Sequence, residues 1–293
     1  LWGFNAWRPA WEFSVQSFQE LFGFGSKLLI SSLIDTIYRN IYYLIIGKFY
    51  SAEQLGQYTR ADQFNAIFSS NLTSVVQKVS YPVLCSIQDD EERLKQAYQR
   101  VIKSTMLVTF ACMLGLAAIA KPLILVLIGA KWMQAVIYLQ IICFAGMLYP
   151  LHAINLNMLM VKGRSDLFLR LEIIKKIIAI IPIFLGIFYG IEFMLWGGVF
   201  ISFAAYLLNS YYSAMLINYS TWAQVKDIAP SFLVSIFVAL AMWCLTLLNY
   251  SIWVTLPLQC ILGLGMAIAI YETIKSTEYF ELKQILLLII KRK

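Results

Sequence analysis

Charged residues are scarce in this sequence, and their scarcity excludes a soluble globular domain. Only 13% of the 293 residues are Asp, Glu, Lys or Arg, whereas soluble domains carry about 25%. Hydrophobic residues make up 60% of the chain, and the mean hydropathy is +0.73. A bilayer accommodates such apolar surface, because each helical crossing takes roughly 20 apolar residues. The composition therefore predicts an all-α polytopic transmembrane helix bundle.

Motifs of soluble enzymes are also missing from the sequence. It contains no Gly-rich phosphate loop, no HExxH zinc motif and no nucleophile elbow. The five cysteines stand singly in apolar segments, so we expect packing residues rather than a zinc site or a disulfide framework. We expect no enzyme activity, no metal and no cofactor. The net charge of +7 does not indicate a nucleic-acid partner, because the bases form no soluble basic domain.

Eight apolar stretches are long enough to cross a bilayer. They run over residues 20–47, 60–85, 102–120, 134–160, 168–189, 193–216, 230–248 and 252–273. Short connections predict antiparallel neighbours packed as a bundle. The polar segment 86–100 is predicted to form a short cytoplasmic helix with its acidic run at the helix start. Pro150 and Pro182 are expected to bend the fourth and fifth spans.

Basic residues between the spans and towards their ends predict the orientation of the chain. With a cytoplasmic N-terminal end, sixteen Lys and Arg residues lie on the inner side, Lys175 and Lys176 among them, and four lie on the outer side. Positively charged loops favour the cytoplasm. We therefore expect both ends of the chain to be cytoplasmic and the tail to lie on the inner surface against anionic lipid.

Two polar stripes form the candidate site. On the first span, residues at every fourth position make one ridge: Lys27, Ser31, Asp35 and Arg39. On the second span, the polar residues concentrated on one side include Arg60, Gln63, Asn71, Ser74 and Lys78. A charged side chain near mid-bilayer costs about 2.5–3.5 kcal/mol, so we expect both stripes to face protein or water. Facing each other, they would form the wall of a hydrated cavity.

The bases on these stripes outnumber the nearby acids, so the cavity is expected to be cationic. Such a lumen suits an anionic ligand such as a pyrophosphate, which Arg binds through paired donors. We expect Arg39 and Arg60 to hold the pyrophosphate, Lys27 and Lys78 to extend the positive field, and Asp35 to tune the pair or to couple to a cation. In the alternative interpretation, Asp35 and Arg39 neutralise each other inside a structural bundle.

Six short strings carry a family resemblance. They are WRPAWEFS at 7–14, GKFYSAEQLG at 47–56, QYTRADQF at 57–64, YPVL at 81–84, GAKW at 129–132 and KGRSD at 162–166. In this order they resemble the C-terminal half of bacterial Wzx-type polysaccharide exporters, nearest to the colanic-acid-exporter branch. These exporters belong to the multidrug/oligosaccharidyl-lipid/polysaccharide (MOP) flippase superfamily.

The resemblance implies a transporter with two six-helix lobes around a central cavity, often with two further C-terminal helices. On that template, residues 1–17 are the inter-lobe linker, 18–217 the second lobe, 218–273 two additional transmembrane helices and 274–293 a cytoplasmic amphipathic tail. The chain begins at Leu1, without an initiator Met or a signal peptide. We therefore expect a longer polypeptide whose first lobe precedes this segment.

The function implied by the resemblance is transport across a bacterial inner membrane. Its substrate would be an undecaprenyl-pyrophosphate-linked oligosaccharide, flipped by alternating access. The expected partners are this lipid-linked oligosaccharide, the first lobe, membrane lipids and polysaccharide polymerase machinery. One alternative is a multidrug or small-molecule antiporter of the same superfamily, which would favour an acidic cavity. Another is a membrane polymerase or ligase acting on lipid-linked sugars, which usually needs a larger outer loop.

Overall fold

The structure is a computed structural model that describes residues 13–248 and 250–291, and these residues fold into helices without any β-strand. In chain order the helices are α1 (Val15–Phe49), α2 (Ala52–Ser86), α3 (Glu91–Leu127), a 3-10 turn (Ala130–Trp132), α4 (Met133–Gly146), α5 (Tyr149–Val161), α6 (Ser165–Ile178), α7 (Ile180–Tyr189), α8 (Ile191–Ile217), α9 (Thr221–Cys244), a second 3-10 turn (Leu245–Leu248), α10 (Ile252–Ile274) and α11 (Thr277–Lys291). The all-α prediction is confirmed.

Six stretches of these helices are long and apolar enough to cross a membrane, and the chain is a multi-pass membrane protein. They are α1, α3, residues 130–161, α8, residues 221–248 and α10. The second and fifth predicted spans are helical but fall outside this set. The second corresponds to α2, whose 35 residues include too many polar side chains. The fifth is divided into α6 and α7, of 14 and 10 residues.

Prolines lie just beyond the breaks in the fourth and fifth spans. α4 and α5 separate at Met147 and Leu148, immediately before the turn that contains Pro150. α6 and α7 separate at Ala179, three residues before Pro182. Proline has no backbone N–H, and its ring displaces the carbonyl four residues earlier, so a helix bends or breaks on its N-terminal side. Both bends expected from the sequence are therefore present.

Of the short helix predicted at 86–100, residues 91–100 are instead the beginning of α3, and Ser86 is the last residue of α2. The Asp90 side chain accepts a hydrogen bond from the Arg93 backbone N–H at 3.0 Å, so the acidic run does lie at a helix start. The helix then continues to Leu127. Neither Gly nor Pro occurs between Glu91 and Leu114, so no helix breaker separates the polar first turns from the apolar part of the helix. The expectation of a short helix at this position was wrong.

The buried core lies among α2, α3, α4, α5 and α8, and α1 lies at its edge against α6. Helices α9 and α10 pack on each other and on α3. The tail helix α11 also contacts α3, where Arg100 pairs with Glu281. Gly190 has a φ of +115°, which only glycine adopts readily, and it makes the turn that lays α8 back along α7. The predicted boundaries at 18–217 and 218–273 stay predictions.

Candidate functional site

The stripe on α1 faces protein. Ser31 is buried, and its hydroxyl donates a hydrogen bond to the Lys27 carbonyl at 2.8 Å. One turn further on, Lys176 Nζ of α6 donates a hydrogen bond to Asp35 Oδ1 at 2.7 Å. Leu33 and Ile37 are exposed on another side of α1. Asp35 of the expected ridge therefore contacts α6, and the apolar side of α1 is free to meet acyl chains.

The partner of Asp35 on α6 belongs to a cluster of four charged side chains. We call Asp35, Glu172, Lys175 and Lys176 the charge cluster. Glu172 is 5% exposed and accepts a hydrogen bond from Lys175 Nζ. Its Oε2 lies 3.8 Å from Lys176 Nζ. Two acids and two bases balance within the cluster, which offsets part of the cost of removing charges from water.

Tyr38 closes the cluster on the α1 side. Lys176 Nζ lies 4.4 Å from the centre of the Tyr38 ring, within the range of a cation–π contact. The Tyr38 hydroxyl donates a hydrogen bond to the Ala179 carbonyl at 3.2 Å, at the break between α6 and α7. The side chain of Arg39, one position further along α1, lies outside the described residues. Its predicted pyrophosphate contact therefore stays a prediction.

The sequence interpretation missed Glu172, Lys175 and Lys176. It counted both lysines among the bases of the inner side, whereas the structure places them on α6 with their side chains only 12% and 19% exposed. The available signal was an acid followed at the third and fourth positions by bases, in a stretch whose other residues from 171 to 178 are Leu or Ile. That pattern is compatible with a buried ion pair and equally compatible with the charged end of a helix.

The polar stripe on α2 lies on the exposed side of this helix. Arg60, Gln63, Asn71 and Lys78 are exposed, and Ser74 is half-buried. We call these five residues the polar face of α2. The packed side of the same helix consists of residues such as Tyr58, Ala61, Asn65, Ser69 and Leu84. The one-sided concentration of polar residues predicted from the sequence is present.

The two stripes do not face each other as expected. Asp35 of the α1 stripe is directed at α6, whereas the polar face of α2 is directed away from the helices that α2 packs against. α1 and α2 meet instead through Tyr43, whose hydroxyl donates a hydrogen bond to Asp62 Oδ2. The cause is that α1 packs chiefly on α6 and makes fewer contacts with α2. The expectation of a cavity between the first two spans is therefore corrected.

Within the polar face, Arg60 is held at the N-terminal end of α2. Its Nη1 donates a hydrogen bond to Gln63 Oε1 at 2.9 Å, and its Cζ lies 5.3 Å from the centre of the Trp132 ring. The Asn71 amide donates a hydrogen bond to the Ile67 carbonyl of its own helix at 2.8 Å. The amide oxygen of Asn71 and most N–H groups of Arg60 take part in no hydrogen bond among the described residues.

Comparison with known proteins finds similarity to proteins of polysaccharide biosynthesis. The profile of a family described as polysaccharide biosynthesis protein matches residues 1–137. The teichuronic acid biosynthesis protein TuaB of Bacillus subtilis is 26% identical over 230 residues, which are 78% of this chain and 48% of TuaB. The lipopolysaccharide biosynthesis protein WzxC of Escherichia coli is 26% identical over 63% of this chain and 37% of WzxC. The succinoglycan biosynthesis transport protein ExoT of Rhizobium meliloti is 27% identical over 46% of this chain and 27% of ExoT.

The chain spans less than half the length of these relatives. Its fold is similar to that of the lipid II flippase MurJ in an inward closed conformation, with a TM-score of 0.66 and 14% sequence identity. That similarity covers 91% of this chain and 57% of the MurJ chain. The resemblance to the Wzx-type exporters and the flippase fold expected from it are confirmed.

Proposed function

We propose that this chain, similar in sequence to Wzx-type polysaccharide exporters and in fold to a flippase, forms one lobe of a transporter for lipid-linked oligosaccharides. The substrate is an undecaprenyl-pyrophosphate-linked repeat unit, which moves from the cytoplasmic to the outer leaflet of a bacterial inner membrane by alternating access. The names of TuaB, WzxC and ExoT, which refer to biosynthesis or transport of surface polysaccharides, support this assignment. The chain acts as a transporter and not as an enzyme, and both of its ends lie in the cytoplasm.

The exposed polar face of α2 is the observation that carries the proposal. Arg60 and Lys78 lie eighteen residues apart, which is about 27 Å along a helix axis at 1.5 Å per residue. Gln63, Asn71 and Ser74 lie between them on the same face. Acyl chains offer no hydrogen-bond partners to such a surface, whereas a water-filled passage does. The first lobe of the full-length protein forms the opposite wall of this passage.

The two cations of this face lie near opposite ends of the passage. In the proposed topology, Lys78 is near the cytoplasmic end and Arg60 is near the outer end. An anionic headgroup therefore meets a positive charge in each leaflet, and the neutral polar side chains between them hydrogen-bond to water or to sugar. Arg60 gives one hydrogen bond to Gln63 and keeps other N–H groups for phosphate oxygens. Lys27 and Arg39 of α1 add to the positive field.

The charge cluster joins α1 to α6. In alternating access some helices move together and others separate. The Asp35–Lys176 pair holds α1 and α6 together, so these two helices move as a unit. Asp35 therefore tunes the coupling between the two helices. Its contact with Arg39, expected from their spacing, belongs to the same hypothesis.

A first experiment measures export in cells. Arg39→Ala, Arg60→Ala and Lys78→Ala are introduced singly into the full-length protein in a strain that depends on it for surface polysaccharide. We expect Arg60→Ala to abolish surface polysaccharide while the variant still inserts into the membrane, with Lys48→Ala as the control that leaves export unchanged. Normal export by the Arg60 and Lys78 variants would contradict the proposed binding role of α2.

A second experiment tests whether the polar face of α2 is in contact with water. Asn71→Cys and Ser74→Cys are made in a full-length protein without its native cysteines and treated in membranes with a water-soluble maleimide. Phe200→Cys is the matched control, because Phe200 is 72% exposed on the apolar surface of α8. We expect labelling at 71 and 74 but not at 200. Equal resistance of all three cysteines would show that the face is covered or in lipid, and the proposal would fail.

A further inference from the structure

Two of the sequence strings used above meet at the outer end of α2. Gln57 of α2 is only 3% exposed. Its Nε2 donates a hydrogen bond to the Lys131 carbonyl at 2.8 Å, and its Oε1 accepts one from the Ala135 backbone N–H at 3.0 Å. A buried amide with both ends paired fixes the relative position of the two segments it joins. The 3-10 turn that contains Trp132 is thereby fixed to the first turns of α2.

The Trp132 ring lies along α2 between Gly56 and Arg60. A Cβ atom added to Gly56 would lie 3.5 Å from Trp132 Cζ3, an ordinary van der Waals distance, so the indole packs directly on the helix at this position. One turn further along, Arg60 Cζ lies 5.3 Å from the centre of the Trp132 ring. Gly56 and Arg60 are four residues apart and so share one side of the helix. The indole face is therefore directed towards the guanidinium.

We propose that Trp132 is a positioning residue for Arg60, which it holds in the rotamer that receives the diphosphate. The inference rests on the proposed function, because it assigns Trp132 a role only through the substrate contact of Arg60. A free Arg side chain samples many rotamers and loses that freedom when it binds a ligand. The indole face on one side and Gln63 Oε1 on another reduce this loss in advance. The guanidinium remains exposed, so its other N–H groups stay accessible to phosphate oxygens.

A tryptophan near the end of a membrane helix has a more common role as an interfacial anchor. An anchor acts on the membrane position of the protein and is independent of Arg60. A positioning residue acts only while Arg60 is present. The two roles therefore differ in how a Trp132 substitution combines with an Arg60 substitution.

The test is a double-mutant cycle on binding of undecaprenyl pyrophosphate to the purified full-length protein in nanodiscs. The four proteins are the parent, Trp132→Leu, Arg60→Ala and the double variant. We expect Trp132→Leu to weaken binding about fivefold, in line with an exposed cation–π contact. Arg60→Ala should weaken binding more, and the double variant should bind as Arg60→Ala does.

Two further variants serve as controls. Phe49→Leu removes the ring that lies 5.7 Å from Lys48 Nζ at the same end of the bundle, and it should leave binding unchanged. Trp132→Phe keeps a smaller ring at the site, so it should weaken binding by about twofold and lose that effect in the Arg60→Ala background. If the Trp132→Leu protein does not accumulate in the membrane, Trp132→Phe takes its place in the double-mutant cycle.

The outcomes separate this inference from the proposed function. If Trp132→Leu weakens binding by the same factor with and without Arg60, Trp132 is an anchor and the inference is overturned. If Arg60→Ala weakens binding but neither Trp132 variant does, the inference is overturned and the proposed function stands. If Arg60→Ala leaves binding unchanged, the substrate contact of Arg60 fails, and the inference fails with it.

Discussion

Asp35 Oδ1 on α1 accepts a hydrogen bond from Lys176 Nζ on α6 at 2.7 Å, across 141 positions of sequence. The two side chains are 33% and 19% exposed, so the pair is partly removed from solvent. Glu172 and Lys175 complete the cluster, whose formal charge is zero. Because α1 lies at the edge of the bundle, this pair is one of the contacts that fix the helix to the rest of the protein.

Asp35→Asn is expected to destabilise the protein by about 1–3 kcal/mol. The substitution leaves Glu172 as the only acid of the cluster beside two lysines. One positive charge is then uncompensated, which is costly in a partly buried site. Lys176→Gln should do the same with the opposite sign of excess charge. The measurement is thermal unfolding of the purified full-length protein in detergent.

The double variant Asp35→Asn, Lys176→Gln restores a neutral cluster. We therefore expect its loss of stability to be smaller than the sum of the two single losses. Asp89→Asn, at an exposed position outside the cluster, is the control for loss of a carboxylate. Strictly additive losses would contradict an interaction between Asp35 and Lys176.

The inward direction of the α1 stripe could be predicted, because it depends on two local quantities. One is the four-residue spacing of Lys27, Ser31 and Asp35, and the other is the cost of a charge in lipid. The partner of Asp35 could not be predicted, because helical spacing says nothing about which distant helix packs alongside. The same limit applies to Arg60, whose binding role was proposed from its residue type but whose contact with Trp132 depends on tertiary packing.

The breaks at Pro150 and Pro182 were also predictable, since proline acts on its own helix. The continuity of α3 from its polar residues 91–100 into its apolar part was not, because the polar composition of 86–100 was taken as a change of element. Only the structure shows that one helix carries both a polar segment and an apolar span. The direction of the polar face of α2 likewise required the packing of its other side.

Gly197→Ala is expected to destabilise the contact between α7 and α8 by about 1–3 kcal/mol. A Cβ atom at Gly197 would lie 2.9 Å from Pro182 Cβ and 3.1 Å from its Cα. The proline ring is rigid, so α7 and α8 must move apart to accept the methyl group. Gly115→Ala in α3 is the matched control, because no atom lies within 4 Å of its added Cβ.

The control substitution should be neutral or stabilising by up to about 1 kcal/mol, since Ala favours a helix over Gly. Both variants are compared by their thermal unfolding midpoints in the same detergent. Equal loss of stability in the two variants would show that the close approach of α8 to Pro182 is absent.

Tyr98→Phe is expected to cost about 1 kcal/mol of stability. The Tyr98 hydroxyl donates a hydrogen bond to Asn155 Oδ1 at 2.9 Å, and Ser213 Oγ donates to the same oxygen at 2.5 Å. All three side chains are fully buried, and they join α3, α5 and α8. Tyr211→Phe, on the exposed side of α8, is the control and should change the unfolding midpoint little.

Ser213→Ala in the Tyr98→Phe background removes the second donor as well. The loss should then exceed the sum of the single losses, because the buried Asn155 oxygen loses both of these hydrogen bonds. Thermal unfolding of the four proteins checks this expectation. A loss in the double variant no larger than the sum of the two single losses would contradict it.

Asp166→Asn is expected to lower stability in a pH-dependent way. Arg164 Nε and Nη2 donate hydrogen bonds to Asp166 Oδ1 and Oδ2 at 3.0 and 2.9 Å, in the connection that leads into α6. These bonds hold the pKa of Asp166 at about 2, below the value near 3.9 of a free Asp. A lowered pKa in the folded state means that the stabilisation is fully present above about pH 4 and is lost as the pH falls through 2.

The measurement is the difference in unfolding midpoint between the parent protein and Asp166→Asn at pH 6 and at pH 2. Since the pair is exposed, we expect a difference of roughly 2 °C or less at pH 6. At pH 2 the difference should be smaller, because Asp166 of the parent protein is then protonated in about half of the molecules. Asp89→Asn, an acid without such a partner among the described residues, should show no comparable trend. A difference that stays the same at both values of pH would mean that the Asp166→Asn substitution acts on the local backbone and not through the loss of the charge paired with Arg164.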